Sequence, residues 1–591
     1  MNTAKRVYQS EWFLNTWQIH KNEIRGNEDN ERITGWDDMT ETVWRTSVTY
    51  RVWLLAVKLW QMGCAEWEKS VLRRVLLNLG RLWRQEARNS VFLRFACREG
   101  RLSAAWEQSL FCRVLTLLLG LPGMLLHAFY NTFKTLFDQS AIAWMFFEAG
   151  EETAVAESWL ILAMWVIPFK RWNNAYSLTA FLGLLCLFHL GAMHQRRFRL
   201  DLANLGFYPL VFFGILAATV PLSYRTNLSV RFFGYHLAAA LCVLITVSAV
   251  RNGTDLKRLA AGAGAVVAAA SGYGVLQRMQ GVKVVAAYVD AKLNPDMPGR
   301  VMSYFDNPNT FAEVLVILLP LVLGLALASN SWRGRIAAAA VWVLGIAALL
   351  MTYSRAGWIG FALSIVVLVL STRPMLLLPL FAFCLVAIPF LPSAVWTRIT
   401  TITNMSDTTT SSRFPLYAAA WETIKREFLM GVGLGTDALK LYIKNYRLYH
   451  GSAPFVHAHN LYLEVWAEMG ILGLGAFVGA LIWAVKRGFR MAAACHRTAA
   501  RTMTRAAAAG LCGIALCGMA DYPWHYPRVM VVFWFLFAMT LAGAKVCRRE
   551  IAAEAVRLQR EEQERRDRIP RLPGYNPNTS KKGRKRRRSH R

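Results

Sequence analysis

Uninterrupted apolar stretches recur along most of the chain, near 156–168, 176–194, 205–224, 230–250, 256–279, 311–330, 335–354, 356–372, 375–391, 461–485, 505–524 and 531–546. A helix needs about 20 apolar residues to cross roughly 30 Å of hydrocarbon. The pattern therefore predicts an all-α, polytopic integral membrane protein with about 12 transmembrane helices. Short turns join most of these spans, but two long connections, near 280–310 and 392–460, interrupt the series. Long loops in compact architectures are usually functional or disordered, and the second is too rich in Trp, Tyr, Phe and Leu for disorder. Within it, Leu416, Ala420, Trp421, Ile424 and Phe428 recur at three- and four-residue steps, which predicts a helix over 414–428. A small helical cap on the outer membrane surface is expected.

The ends are polar. Residues 1–40 read as loop, and 41–135 are basic and helical in pattern, with Trp53, Trp60 and Trp67 at seven-residue spacing. Tryptophan beside basic residues suits a helix in the headgroup region, and a cytoplasmic bundle with tryptophans in its core fits equally; the stretch 114–133 is long enough for a further span. Residues 548–568 form a charge-rich helical pattern that Pro570 and Pro577 end, and a disordered basic tail is expected beyond. The expected divisions are a basic, cytoplasmic or interfacial helical region over 1–155, membrane helices over 156–290, a second membrane domain over 291–546 with its external cap loop 392–460, and the tail over 547–591.

Charge orients this plan. The chain has 591 residues, is 55% hydrophobic and carries a formal charge of +31. Arg196, Arg197, Arg199, Arg251, Lys257, Arg258, Arg333, Arg335, Arg373 and the 486–505 connection fall in alternate loops, so those loops, and both termini with them, are expected in the cytoplasm. The excess charge then meets anionic membrane lipids rather than nucleic acid. None of the ten cysteines falls in a predicted outer loop and none has CxxC spacing, which argues against a disulfide-built ectodomain and a zinc site. No cleavable signal peptide is expected.

The same topology carries Arg300, Arg355, Arg413 and His459, from four different loops, to the outer face. Several guanidiniums with one imidazole suit a substrate bearing phosphate, because Arg presents a planar fork of donors matched to phosphate oxygens. Each has a plainer reading: Arg300 precedes a well-capped helix start at Asn307-Pro308-Asn309, Arg355 can snorkel from a tight turn, and Arg413 can be solvated. Asn460 is a good cap for the span after it, so His459 lies at a positive helix end near the arginines. Both effects keep the ring neutral, as a general base must be. His450 and His457 share that loop, but no acidic ligand stands at convincing spacing and no metal is expected. Gly431, Gly433 and Gly435 lack the strand and Lys of a phosphate-binding loop and are expected to turn against the cap helix. Glu313, Glu464, Glu468 and Asp521 sit in the outer parts of their spans, whereas an ion-coupled carrier places some acids at midplane. Asp521 and His525 are candidates for the same outer cavity.

At these residues the chain resembles the O-antigen ligase and polymerase family of bacterial multi-span membrane glycosyltransferases. The likeness rests on Arg300 with Phe305-Asp306-Asn307-Pro308-Asn309, on Ser354-Arg355-Ala356-Gly357, on Arg413 followed by Trp421 and Gly431-Val432-Gly433-Leu434-Gly435, and on His459-Asn460 with Gly470 and Gly473. Ser303-Tyr304 stands where a small Gly-Thr pair is common, and residues 1–155 have no counterpart. The resemblance implies an inverting, metal-independent enzyme of the bacterial inner (plasma) membrane, with no cofactor. It implies transfer of a glycan from an undecaprenyl-diphosphate donor to an acceptor hydroxyl on a glycan, lipid, protein or wall component at the external face. His459 is then the general base, while Arg355, Arg413 and Arg300 hold the diphosphate. A polymerase joining lipid-linked repeat units is the alternative within the class, and a transporter or flippase of the lipid-linked glycan the alternative outside it.

Overall fold

The computed structural model describes residues 47–71, 74, 78, 101–168, 171–194, 200–282, 285, 298–400, 411–451, 454–496 and 498–567. Two compact units divide the chain, Met1–Arg98 and Glu99–Arg591. In the first, α1 (Val48–Lys69) is a helix closed by an exposed Glu66–Lys69 pair at 2.9 Å. The loop expected over 1–40 and the basic tail lie outside the described residues, as do the side chains of Trp53, Trp60 and Trp67.

The second unit is helical throughout its described residues, with no strand. Its N-terminal part comprises α2 (Arg101–Gln108), α3 (Leu110–Thr132), α4 (Ala141–Glu151), α5 (Thr153–Val166), α6 (Asn174–His194), α7 (Phe207–Thr219), α8 (Thr226–Ala249) and α9 (Gly253–Met279). There follow α10 (Pro308–Ala328), α11 (Trp332–Met351), α12 (Arg355–Thr372), α13 (Leu377–Ala387), α14 (Ser393–Thr400), the cap helices α15 (Arg413–Arg426) and α16 (Thr436–Asn445), then α17 (Leu461–Ala494), α18 (Ala499–Cys517) and α19 (Pro527–Asp567).

Among the described residues, nine helices are long and apolar enough to cross a membrane, with shorter apolar helices at Thr153–Val166, Phe207–Thr219 and Leu377–Phe390. Every predicted span is a helix. The one predicted over 505–524 is α18, which carries Arg501 and Arg505 and stops at Cys517, and α3 joins the nine on length and composition. Two helices form the axis: α10 is mostly buried between α9, α11 and α18, and the apolar half of α19 is enclosed by α8, α17 and α18.

Hydrogen bonds tie α3 to the rest of the unit near both of its ends. Just before its start, Trp106 Nε1 donates to Leu202 O at 3.0 Å, and near its end His127 Nδ1 pairs with Met193 O at 2.7 Å. Both ends of α3, which is long and apolar enough to cross a membrane, are thus tied to chain on either side of residues 195–199. Beside it, Arg548 Nη1 donates to both Glu107 oxygens at 2.8 Å, and Arg487 reaches the same carboxylate at 3.3 Å. Both guanidiniums also donate to Asn204 Oδ1.

On the opposite face the cap meets a broken helix. Within α17, Gly470 adopts φ 66° and ψ −174°, which splits the helix into Leu461–Met469 and a longer second half. Backbone groups freed in hydrocarbon must find partners. The turn after α15 supplies them: Val432 N donates to Ala467 O and Gly433 N to Glu468 O, both at 2.9 Å, while Ile471 N donates to Phe428 O at 2.9 Å. Gly431 (φ 69°) and Gly470 approach so closely that a Cβ on either would collide with the other strand of backbone. The glycine turn therefore rests against the break in α17, and through Ser223 and Ser229 against α8, as well as against the cap helix.

Replacing Gly470 with Ala forces a side chain into the left-handed region and into Leu429. It is expected to destabilise the protein by on the order of 2 kcal/mol or more, read as a lowered Tm in detergent. Gly475→Ala, on the open side of the same helix with nothing within 4 Å, is expected to leave Tm unchanged.

Candidate functional site

Four loops on the cap side converge. The segment 298–307 enters α10, where Asn307 Oδ1 accepts from Asn309 N at 2.8 Å as the helix cap. Asn309 Oδ1 in turn accepts from Arg300 Nη2. Arg300 is 5% exposed and its Nε donates to Thr352 O at 2.7 Å, in the turn between α11 and α12. Arg355 opens α12 behind its cap Ser354, and Arg413 opens α15. Arg398 of α14, absent from the sequence reading, is 3% exposed with Nε 3.4 Å from Tyr353 O.

Electrostatics ties these cations together. Burial, then the charge of Arg398, push the Arg300 guanidinium down to about 9, with Asp521 opposing and Arg355 and Arg413 adding to the depression. Four guanidiniums thus share one partly desolvated region with the Asp521 carboxylate. Like charges in such a region repel strongly, and a polyanion entering it relieves that repulsion.

His459 stands beside this cluster. Its Nδ1 lies 3.0 Å from Asp521 Oδ1 in the α18–α19 connection, and its side chain is 28% exposed. Burial alone raises the Asp521 carboxyl, but the charge and hydrogen bond of His459, with Arg413 and His457, hold it well below the usual carboxylate range. An ionised carboxylate only accepts. The Nδ1–H of His459 therefore points at Asp521, and Nε2 is the ring atom left to accept a proton. Asp521, 62 residues away in sequence, is a candidate for this cavity from the sequence, and the structure pairs it directly with the ring.

The loop is held in an unusual backbone state. His459 has φ 47°, which costs on the order of 1 kcal/mol or more. Ala458 N donates to Glu464 Oε2 at 2.6 Å, His459 N to His457 Nδ1 at 3.1 Å, and the Asn460 side chain caps α17 by accepting from Tyr462 N at 2.9 Å and Leu463 N at 3.0 Å. Of the four described non-glycine residues with positive φ, three are Ser303, Tyr353 and His459, all in loops of this site. Ser303, where a glycine is common in the resembled family, is held by Ser303 Oγ donating to Ala270 O at 2.7 Å and Ser303 N donating to Gln277 Oε1 at 3.0 Å.

Two more histidines adjoin. The His457 ring lies 4.0 Å from that of His459 and 4.5 Å from that of His525, centroid to centroid. Burial, then the charges of His459 and His525, hold His457 well below its ordinary value; burial also brings His525 down to about 4 against the pull of Asp521. The exposed His450 is not part of this group. His457, His459 and Asp521 each offer a ligand atom, all within 4.8 Å of one another, so the acidic partner missing from the 450–460 loop comes from the α18–α19 connection.

No curated protein matches the chain. Among solved structures, a chain described in connection with the structural coordination of polymerization and crosslinking by a peptidoglycan synthase complex aligns with 56% of this chain and 96% of its own, at 16% identity and a TM-score of 0.33. That similarity is too low to establish a shared fold. Residues 338–478 match the family model for O-antigen ligase (Wzy_C), a stretch that contains Arg355, Arg398, Arg413 and His459. The chain is thus a multi-span membrane protein that carries an O-antigen ligase domain.

Proposed function

We propose that this protein transfers a glycan from an undecaprenyl-diphosphate donor to an acceptor hydroxyl at the external face of the bacterial plasma membrane. The observation that carries the reading is the hydrogen-bonded His459–Asp521 pair, with Arg413 among the charges acting on Asp521 and Arg355, Arg398 and Arg413 among those acting on Arg300. The basic connections and both termini then lie in the cytoplasm, and residues 1–155 form a cytoplasmic or interfacial region ahead of the membrane domains.

The chemistry follows from the residue types. His459 Nε2 takes the acceptor proton as the hydroxyl oxygen bonds to the anomeric carbon, while Asp521 fixes the tautomer and stabilises the imidazolium formed. The bond from that carbon to the diphosphate oxygen breaks, and its electron pair leaves with the lipid diphosphate. Charge grows on that leaving group in the transition state, where the guanidiniums are already oriented toward it. One displacement inverts the anomeric centre, with neither a metal nor a nucleotide sugar required. A polymerase joining lipid-linked repeat units uses the same machinery with a different acceptor.

Reconstitution with a defined lipid-diphosphate glycan and candidate acceptors tests the reading. His459→Ala is expected to lower the transfer rate by about 10²–10⁴ while donor binding persists; unimpaired transfer excludes the base role. Donor translocation across the bilayer by that same inactive variant would instead point to a flippase. Asp521→Asn is expected to reduce kcat with little change in the KM for donor, since it removes the orienting carboxylate and leaves the guanidiniums. Arg398→Ala is expected to weaken donor binding about tenfold or more, measured by titration with the lipid diphosphate. Arg398→Lys should restore only part of that loss, because a point charge lacks the planar fork.

A further inference from the structure

We infer that His457, His459 and Asp521 bind a divalent cation of the zinc class, and that this ion competes with the acceptor hydroxyl for the same imidazole. The competition rests on the base role proposed above; the ion site does not.

The donor set is two imidazoles and one carboxylate, with ligand atoms all within 4.8 Å of one another. Zinc bound at 2.0–2.2 Å to such ligands sets them about 3.3 Å apart in a tetrahedron. The His459 Nδ1 to Asp521 Oδ1 separation is already 3.0 Å, so most of the closure falls to the His457 ring. Mixed nitrogen and oxygen donors favour Zn2+ or Co2+ over Mg2+ and Ca2+, which prefer all-oxygen shells. The neighbouring His525 Nδ1 is buried without a hydrogen-bond partner, a further nitrogen beside the group. Against the ion stands Arg413, whose charge acts on both His457 and Asp521. A loosely held, exchangeable ion fits that balance better than a structural one.

Occupancy is incompatible with base catalysis for a simple reason. A neutral imidazole has one nitrogen lone pair. An ion on Nε2 takes it directly, and an ion on Nδ1 moves the ring proton to Nε2, so in both cases the proton acceptor is lost.

The test uses the purified full chain in detergent, free of affinity-tag histidines. Titration with Co2+ is expected to give the intense visible absorption of four-coordinate cobalt, displaced by Zn2+ and unaffected by Mg2+. His457→Gln and Asp521→Asn are each expected to weaken Co2+ binding about tenfold or more, and His459→Ala to abolish the absorption. Saturating Zn2+ should lower glycan transfer at least about tenfold, with recovery on chelation. A spectrum that stays that of six-coordinate cobalt, or unchanged affinity in both His457→Gln and Asp521→Asn, overturns the ion site. Loss of transfer in His459→Ala would in that case still support the base role. Binding with no loss of transfer overturns the competition and the base role together.

Discussion

Backbone hydrogen bonding in the absence of water is the constraint on which the site depends. A helix interrupted at membrane depth exposes carbonyls and N–H groups that lipid cannot satisfy, and α17 is interrupted at Gly470. The turn from Phe428 to Gly433 closes that gap with three main-chain hydrogen bonds. Its glycines are needed because only backbone without a Cβ fits so near another backbone. The half-helix Leu461–Met469 that results carries His459 at its start, so cap, break and histidine form one construction.

Charge imposes the second requirement. Burying Arg300 and Arg398 beside the half-buried Arg355 and Arg413 is unfavourable unless their donors are engaged. The main-chain carbonyls of Thr352 and Tyr353 and the side chain of Asn309 engage part of the fork of Arg300 and Arg398. Those contacts orient the two guanidiniums. Asp521, the carboxylate whose charge opposes the arginines, is shared with His459.

The legible part of this architecture was whatever local pattern encodes. Apolar run length located eight of the nine described helices that are long and apolar enough to cross a membrane and offered the ninth, α3, as a further span, three- and four-residue spacing found α15, and the alternation of basic loops brought Arg300, Arg355, Arg413 and His459 to one face. What stayed hidden depends on tertiary approach. Asp521 pairs with a histidine 62 residues away, and Arg398 lies in a short helix with no signature distinguishing it from a solvated cation. Ser303 reads as a departure from a family motif, yet side-chain hydrogen bonds hold it in the conformation a glycine adopts readily.

The main chain around His459 has a mechanical consequence. Leu461 N donates to both Gly518 O and Asp521 O, and the Asn460 amide donates to Met519 O, so the segments bearing the imidazole and its carboxylate are stitched together. Tyr417 of the cap helix α15 adds a hydrogen bond to His459 O at 3.4 Å, so the cap, the imidazole and the carboxylate hold one another in register.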